Sequence, residues 1–136
     1  LMPGAGFSSL LRKSRLWLLG FALWVSILWI LSGRPPPEVS TLDLPGFDKI
    51  LHFVYFLIGA VLLSITLHLR GSYSWIHNLV VVVIALAMIG AIDEWHQSWI
   101  PGRSGNDLGD WIADLLGGLS GALICKPLHA LRKPAH

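Results

Sequence analysis

Apolar residues along this chain fall into four blocks separated by short polar segments. The first runs from Leu16 to Leu31, the second from about His52 to Leu69, the third from about Trp75 to Ile92, and the fourth from about Asp110 to Cys125. The third can continue as helix through Trp95 to Trp99. A bilayer core about 30 Å thick takes roughly 20 helical residues to cross. Each block therefore spans only if some flanking polar residues lie at membrane depth. The pattern predicts an all-α polytopic membrane protein, a bundle of four transmembrane helices forming one membrane domain over residues 1–136.

Composition agrees. The chain is 54% hydrophobic and 13% charged, against about 25% charged in a soluble domain. Its formal charge of +2 is scattered, so nucleic acid is not an expected partner. Cys125 is the one cysteine, which excludes a disulfide within the chain. The first block follows the basic residues Arg12, Lys13 and Arg15, as a signal peptide would. It exceeds the usual h-region, however, and no small-residue cleavage site follows it. The sequence Gly33-Arg34-Pro35-Pro36-Pro37 predicts an extended spacer instead. The first helix is therefore expected to remain in the bundle.

The basic residues predict an orientation. With four spans, Arg12, Lys13, Arg15, Arg70, Lys126, Arg132 and Lys133 share one side, and Arg34, Lys49 and Arg103 the other. The richer side faces the cytoplasm, so both termini are expected there. Trp17 and Trp75 then mark the inner interface, and Trp29, Trp99 and Trp111 the outer one. Anchoring at interfaces accounts for the tryptophans without a functional role.

The polar residues inside the blocks carry the functional signal. Positions four, seven and eleven apart share a helix face. Asp48, His52, Tyr55, Gly59 and Thr66 form one stripe; Gly90, Asp93 and Gln97 another, with Glu94 about 100° away; Asp110, Asp114, Gly117 and Gly121 a third. Each stripe is polar at its outward end, whereas the inner half shows no matching polar track. From Leu115 to Cys125 the uncharged run rises only about 16 Å, so Asp114 is expected below the outer headgroups. A carboxylate at the centre of a span costs roughly 2.5–3.5 kcal/mol on insertion scales. Such groups should turn inward and find partners, of which Arg103, His52 and Lys49 are the obvious ones. Gly117-x-x-x-Gly121 reads as a helix-packing motif.

These residues also resemble a known family. Asp48-Lys49-x-x-His52-x-x-Tyr55 opens one helix, Asp93-Glu94-x-x-Gln97 ends the next, Pro101-Gly102-Arg103 follows, and Asp110 opens a glycine-rich final helix. In order and spacing this set, from Asp48 to Gly121, resembles the VanZ-like family of bacterial membrane proteins. The resemblance implies a multi-pass protein of the bacterial inner membrane and a link to the cell envelope. The family's founding member is associated with teicoplanin resistance. Asp114 departs from the Asn that the family often carries there, which adds a possible negative charge.

Each candidate has two readings. His52 is a general base, metal ligand or phosphate contact, or else an imidazole hydrogen-bonded in the bundle. Asp93 and Glu94 polarise a water, hold a cation, or close a loop by pairing with Arg103. Arg103 suits phosphate or carboxylate through its planar fork, or makes that salt bridge. Asp110 completes the acidic set or caps the fourth helix. Lys49 reaches a lipid phosphate or lies among headgroups, and Gln97 orients its neighbours. His68, His77, His129 and His136 are expected to be interfacial or solvated. Without H-E-x-x-H or tight ligand spacing, no metal set is assigned and the cofactor is left open. The resulting expectation is an outward-facing pocket among the last three helices that binds or modifies an anionic lipid or lipid-linked envelope precursor. His52, Asp93, Glu94 and Asp110 would supply acid–base chemistry, and Arg103, Lys49, Tyr55, Gln97, Asp48 and Asp114 would bind substrate. The competing expectation is a non-catalytic partner of an envelope enzyme.

Overall fold

The computed structural model describes residues 13–36, 45–71 and 74–130. Helix α1 spans Ser14–Ser32, α2 Phe47–Arg70, α3 Trp75–Gln97, α4 Leu108–Ile124, and a short α5 Lys126–Ala130. No strand occurs among the described residues. Four helical segments, the last being α4 continued by α5, are long and apolar enough to cross a membrane. Their outer faces carry exposed residues such as Leu19, Leu23, Ile58, Ile76, Ile84 and Leu116, which suit lipid rather than water. The helices alternate in direction, so the C-terminal ends of α1 and α3 meet the N-terminal ends of α2 and α4. Lys13, Arg15, Arg70 and Lys126 lie at the opposite end. Arg12, Arg132, Lys133, Pro37 and His136 lie outside the described residues.

Helix boundaries differ from the hydropathy blocks for local reasons. α2 starts at Phe47, ahead of His52, after Gly46 turns the chain at φ 79°. Asp48 then sits in the first turn, where a carboxylate meets free backbone N–H groups. α3 stops at Gln97 rather than Trp99, because Trp99 N–H bonds His96 O and Ile100 N–H bonds Gln97 O in tighter turns. α4 starts at Leu108, and its N-cap is Asp107, whose carboxylate accepts the Gly109 N–H at 2.7 Å. The capping role considered for Asp110 is thus corrected: Asp110 lies inside the first turn and is free to face the bundle.

Packing centres on α2 against α4. A methyl group at Gly117 would run into Phe53 O, and one at Gly121 into Leu57 O. The glycines let the backbones touch, and this close approach sets His52 opposite Asp114 one turn nearer the polar end. α1 is held mainly by Trp24. Its indole Nε1 donates to Tyr55 O at 3.0 Å, while Tyr55 Oη donates to Trp24 O at 2.8 Å. A methyl group at Gly59 would come within 2.5 Å of the Trp24 ring.

Two expectations are corrected here. Trp24 is a core residue, Trp29 stacks on His96 with ring centroids 3.7 Å apart, and Trp111 Nε1 donates to Ala87 O. These tryptophans tie helices together. The half of the bundle away from the acidic residues also carries polar groups. Asn78 is buried and donates to Ser64 O at 3.0 Å, and its Nδ2 lies 3.2 Å from His129 Nε2. The His68 and His129 rings meet edge to face at 4.6 Å. This cluster contains no carboxylate, whereas the other end is rich in them.

Candidate functional site

At the polar end, α2 and α4 join through one short contact. His52 Nδ1 lies 2.9 Å from Asp114 Oδ1, and Asp114 is fully buried. With Asp114 ionised, Nδ1 is the donor of this contact, and a neutral ring then carries its lone pair on Nε2. Nε2 is 3.9 Å from Asp110 Oδ2. A methyl group on Gly90 of α3 would meet Asp114 Oδ2 at 2.7 Å, so the small residue on α3 is what admits this carboxylate.

α3 adds Asp93, Glu94 and Gln97, all buried. Gln97 Nε2 donates to Asp93 Oδ2 at 2.7 Å. Glu94 Oε2 accepts the Asp107 backbone N–H at 2.7 Å. Adjacent in sequence and about 100° apart, the two carboxylates reach the same region because α2 flanks α3 on one side and the 98–107 loop on the other. A ligand atom from each of His52, Asp93 and Glu94 lies within 4.8 Å of the other two.

A second acidic group surrounds an ammonium. Lys49 Nζ lies 2.8 Å from Asp110 and 3.3 Å from both Asp48 and Asp107. The Lys49 charge and the Gly109 N–H hold the Asp107 carboxyl below its ordinary value of 3.8, the N–H being the larger cause. Asp107 was missed in the sequence. Its signal was an Asp three residues before Asp110 at the head of an apolar run, the usual mark of an N-cap.

Arg103 does not pair with Asp93 or Glu94. Its Nε donates to Arg34 O at 2.8 Å, one terminal nitrogen to Leu31 O at 3.0 Å, and the other to Gln97 Oε1 at 3.4 Å. A guanidinium at the carbonyl end of α1 satisfies orphan acceptors and complements the helix dipole. The turn that presents it runs Ile100-Pro101-Gly102-Arg103, closed by Arg103 N–H to Ile100 O at 3.1 Å with Gly102 at φ 82°. These are the features of a type II turn, which needs a residue at positive φ in its third position. Three of the five guanidinium N–H groups are engaged, which leaves two for another acceptor.

Between these groups lies a cleft of about 220 Å³. Its floor is formed by His52, Asp93 and Gln97, its rim by Asp48 and Arg103, and its apolar wall by Leu28, Leu31, Leu51, Tyr55 and Phe56. Leu31 and Leu51 are exposed on the outside of the bundle. The first helix thus helps to line the cleft, which corrects the expectation of a pocket among the last three helices only.

The family model described as VanZ/LLP1 matches residues 2–131. The chain belongs to the VanZ/LLP1 family. The match extends the resemblance seen from Asp48 to Gly121 to include the first helix, in keeping with the wall that α1 contributes. No curated protein and no solved structure matches the chain.

Within this VanZ/LLP1 protein, the sequence-derived candidates fall into three sets. His52, Asp93, Glu94, Asp110 and Asp114 converge on one buried spot. Lys49 and Asp48 join Asp110 at its rim. Tyr55, Gln97 and Arg103 line the cleft but have polar atoms committed to protein partners. His96, not singled out in the sequence, links α1 to α3 through the Trp29 stack and a 3.2 Å contact with Ser32 Oγ.

Proposed function

We propose that this VanZ/LLP1 protein takes an anionic lipid, or a lipid-linked envelope precursor, into the cleft between α1, α2 and α3 and works on its headgroup. The mixed lining carries this reading. Leucines on the lipid-facing side suit a hydrocarbon chain, and His52, Asp93 and Arg103 a few ångströms away suit a polar head. The two uncommitted N–H groups of Arg103 would hold a phosphate or carboxylate. His52, oriented by Asp114, would accept or return a proton at Nε2, as a positioned imidazole does in acid–base catalysis. The cleft would face outward across the bacterial cytoplasmic membrane, with both termini inside, by the distribution of basic residues. A role in glycopeptide resistance, through a modified envelope lipid, belongs to the same proposal.

The test uses the purified full chain in nanodiscs containing phosphatidylglycerol, phosphatidylethanolamine and a polyprenyl phosphate, with retained lipid measured by native mass spectrometry. Selective retention of an anionic species, weakened in Arg103→Lys and in His52→Gln, is the expected result. Equal retention of all lipids by the wild type would overturn it. A scaffold for an envelope enzyme is the second reading, and the engagement of Lys49 and Arg103 by protein acceptors favours it. Variants that alter only the amount of inserted protein would support that reading instead.

A further inference from the structure

The cleft poses an electrostatic problem for any anionic ligand. Asp48, Asp93, Glu94, Asp107, Asp110 and Asp114 gather at one end of the bundle, against Lys49, Arg34, Arg103 and His52 among the described residues. Lys49 is already occupied by Asp48, Asp107 and Asp110, and the Arg103 guanidinium gives three of its five N–H groups to protein acceptors. The deeper carboxylates have no such cation.

Their oxygens divide in a telling way. Asp93 Oδ2 accepts from Gln97 and Glu94 Oε2 from the Asp107 N–H. The second oxygen of each, Asp93 Oδ1 and Glu94 Oε1, is buried with no hydrogen-bond partner. Asp93 is 2% exposed and Glu94 4%. His52 Nδ1 is held by Asp114, which leaves Nε2. Each of the three residues is thus oriented through one atom while offering another. Metal-binding residues are arranged in this way: a ligating imidazole donates its far N–H to a carboxylate, and ligating carboxylates are themselves hydrogen-bonded.

We propose that His52, Asp93 and Glu94 form a divalent transition-metal site, for a cation such as Mn²⁺ or Zn²⁺. One ligand atom from each lies within 4.8 Å of the other two. Metal–ligand bonds of about 2.0–2.2 Å hold tetrahedral ligands about 3.3–3.6 Å apart, so atoms at the outer limit of that spacing close by about 1 Å to take the ion. One imidazole and two carboxylates favour these ions over soft-metal alternatives, because no thiolate is present. The other acidic group, Asp48, Asp107 and Asp110, has similar spacing, but Lys49 Nζ already sits among its oxygens. The metal site stands on its own geometry. The ion takes the place of the proton at His52 Nε2, and its link to substrate, in which it supplies the positive charge that an anionic headgroup needs, rests on the lipid reading above.

The experiment treats the metal without added lipid substrate. The full chain in detergent, stripped with chelator and dialysed, is titrated with MnCl₂, and bound metal is counted by elemental analysis after gel filtration. About one Mn²⁺ per chain is expected, competed by Zn²⁺, with a ¹⁴N coupling in the pulsed electron paramagnetic resonance spectrum from the His52 ring. Asp93→Asn keeps the shape of the side chain and should weaken binding at least about tenfold. Asp107→Asn alters the lysine-filled group, keeps an N-cap acceptor and should bind as the wild type does. Overturning results are wild-type metal content no higher than that of Asp93→Asn, equal loss in Asp107→Asn, or bound Mn²⁺ without the ¹⁴N signal. The wild-type stoichiometry and spectrum decide the matter even if a variant fails to fold. One Mn²⁺ bound with no lipid retained in the nanodisc assay would keep the metal site and discard the lipid reading.

Discussion

The two ends of this bundle solve the problem of polar groups among helices in opposite ways. Away from the acidic cluster, the buried contacts carry no carboxylate: Asn78 donates to Ser64 O and lies 3.2 Å from His129 Nε2, and Thr66 Oγ1 donates to Leu62 O within α2. Lys126 rests over the Trp75 ring at 4.9 Å, where its charge stays near the surface. At the other end, carboxylates are buried beyond what local cations and N–H groups can satisfy, with Asp93, Glu94 and Asp114 each keeping an oxygen without a partner. Neutral hydrogen bonds between helices are enough to glue a bundle. Carboxylates left partly unsatisfied are costly for folding, and the proposed lipid and metal readings would give that cost a use.

That contrast can be broken most severely at the glycines. Gly117→Leu pushes α4 off the α2 backbone and is expected to cost about 3 kcal/mol or more, enough to collapse both ends together. Thermal unfolding in detergent, read by tryptophan fluorescence, checks this. If the protein melts normally, the close approach of α2 and α4 is not what positions His52 and Asp114.

Lys49→Ala should come next. It leaves Asp110, which is buried, without its closest cation. The lysine side chain is 40% exposed, so solvent screening holds the expected loss to about 1–2 kcal/mol. The same melting assay measures it, and added salt should narrow the gap between variant and wild type.

The sharpest comparison pairs Asn78→Ala with Asp114→Asn. The first removes a buried amide that bonds Ser64 O and should destabilise the bundle by about 1 kcal/mol. The second keeps an acceptor for His52 Nδ1 and removes a buried charge, so stability should hold or rise. Opposite signs in the two melts would support a structural cluster at one end and a functional one at the other. A loss of similar size in both would place the acidic residues among the structural groups.

The smallest effect concerns acid. The Asp107 carboxyl is held below its ordinary value of 3.8 in the folded state, mainly by the Gly109 N–H and then by Lys49. Folding therefore favours the ionised form. This contribution is fully present above the unfolded value near 4 and is lost as pH falls through the folded one. Melting temperature followed from pH 6 to pH 3 should fall less steeply in Asp107→Asn than in the wild type. Because Asp107 is partly exposed, the difference in slope should be slight.

Much of the site could be anticipated from spacing, and the rest could not, for identifiable reasons. The stripe containing Asp48 and His52 and the stripe containing Asp110 and Asp114 do face each other, since glycines one and two turns below Asp114 mark the contact side of α4. Hydropathy located four spans but missed the start of α2, where Asp48 and Lys49 interrupt the apolar run inside a helix that is already formed. Arg103 was expected to meet carboxylates because opposite charges attract. Its partners are the carbonyls of Leu31 and Arg34, which no pattern of charge along the chain can reveal. Asp107 carried the residue type of an N-cap, but hydropathy alone does not distinguish it from Asp110 as the residue that opens the helix.

Periodicity and residue type alone determined the four membrane-crossing segments, the faces that pair, and the acidic character of one end. These follow from the backbone's fixed rise and rotation per residue and from the insolubility of apolar side chains in water. Tertiary structure decided which atoms face which partner: the His52 ring on Asp114, the lysine among three acids, and the Glu94 carboxylate on the Asp107 N–H at the far end of the following loop. Those pairings depend on distances of a few tenths of an ångström between separate helices, set by how closely their backbones can approach.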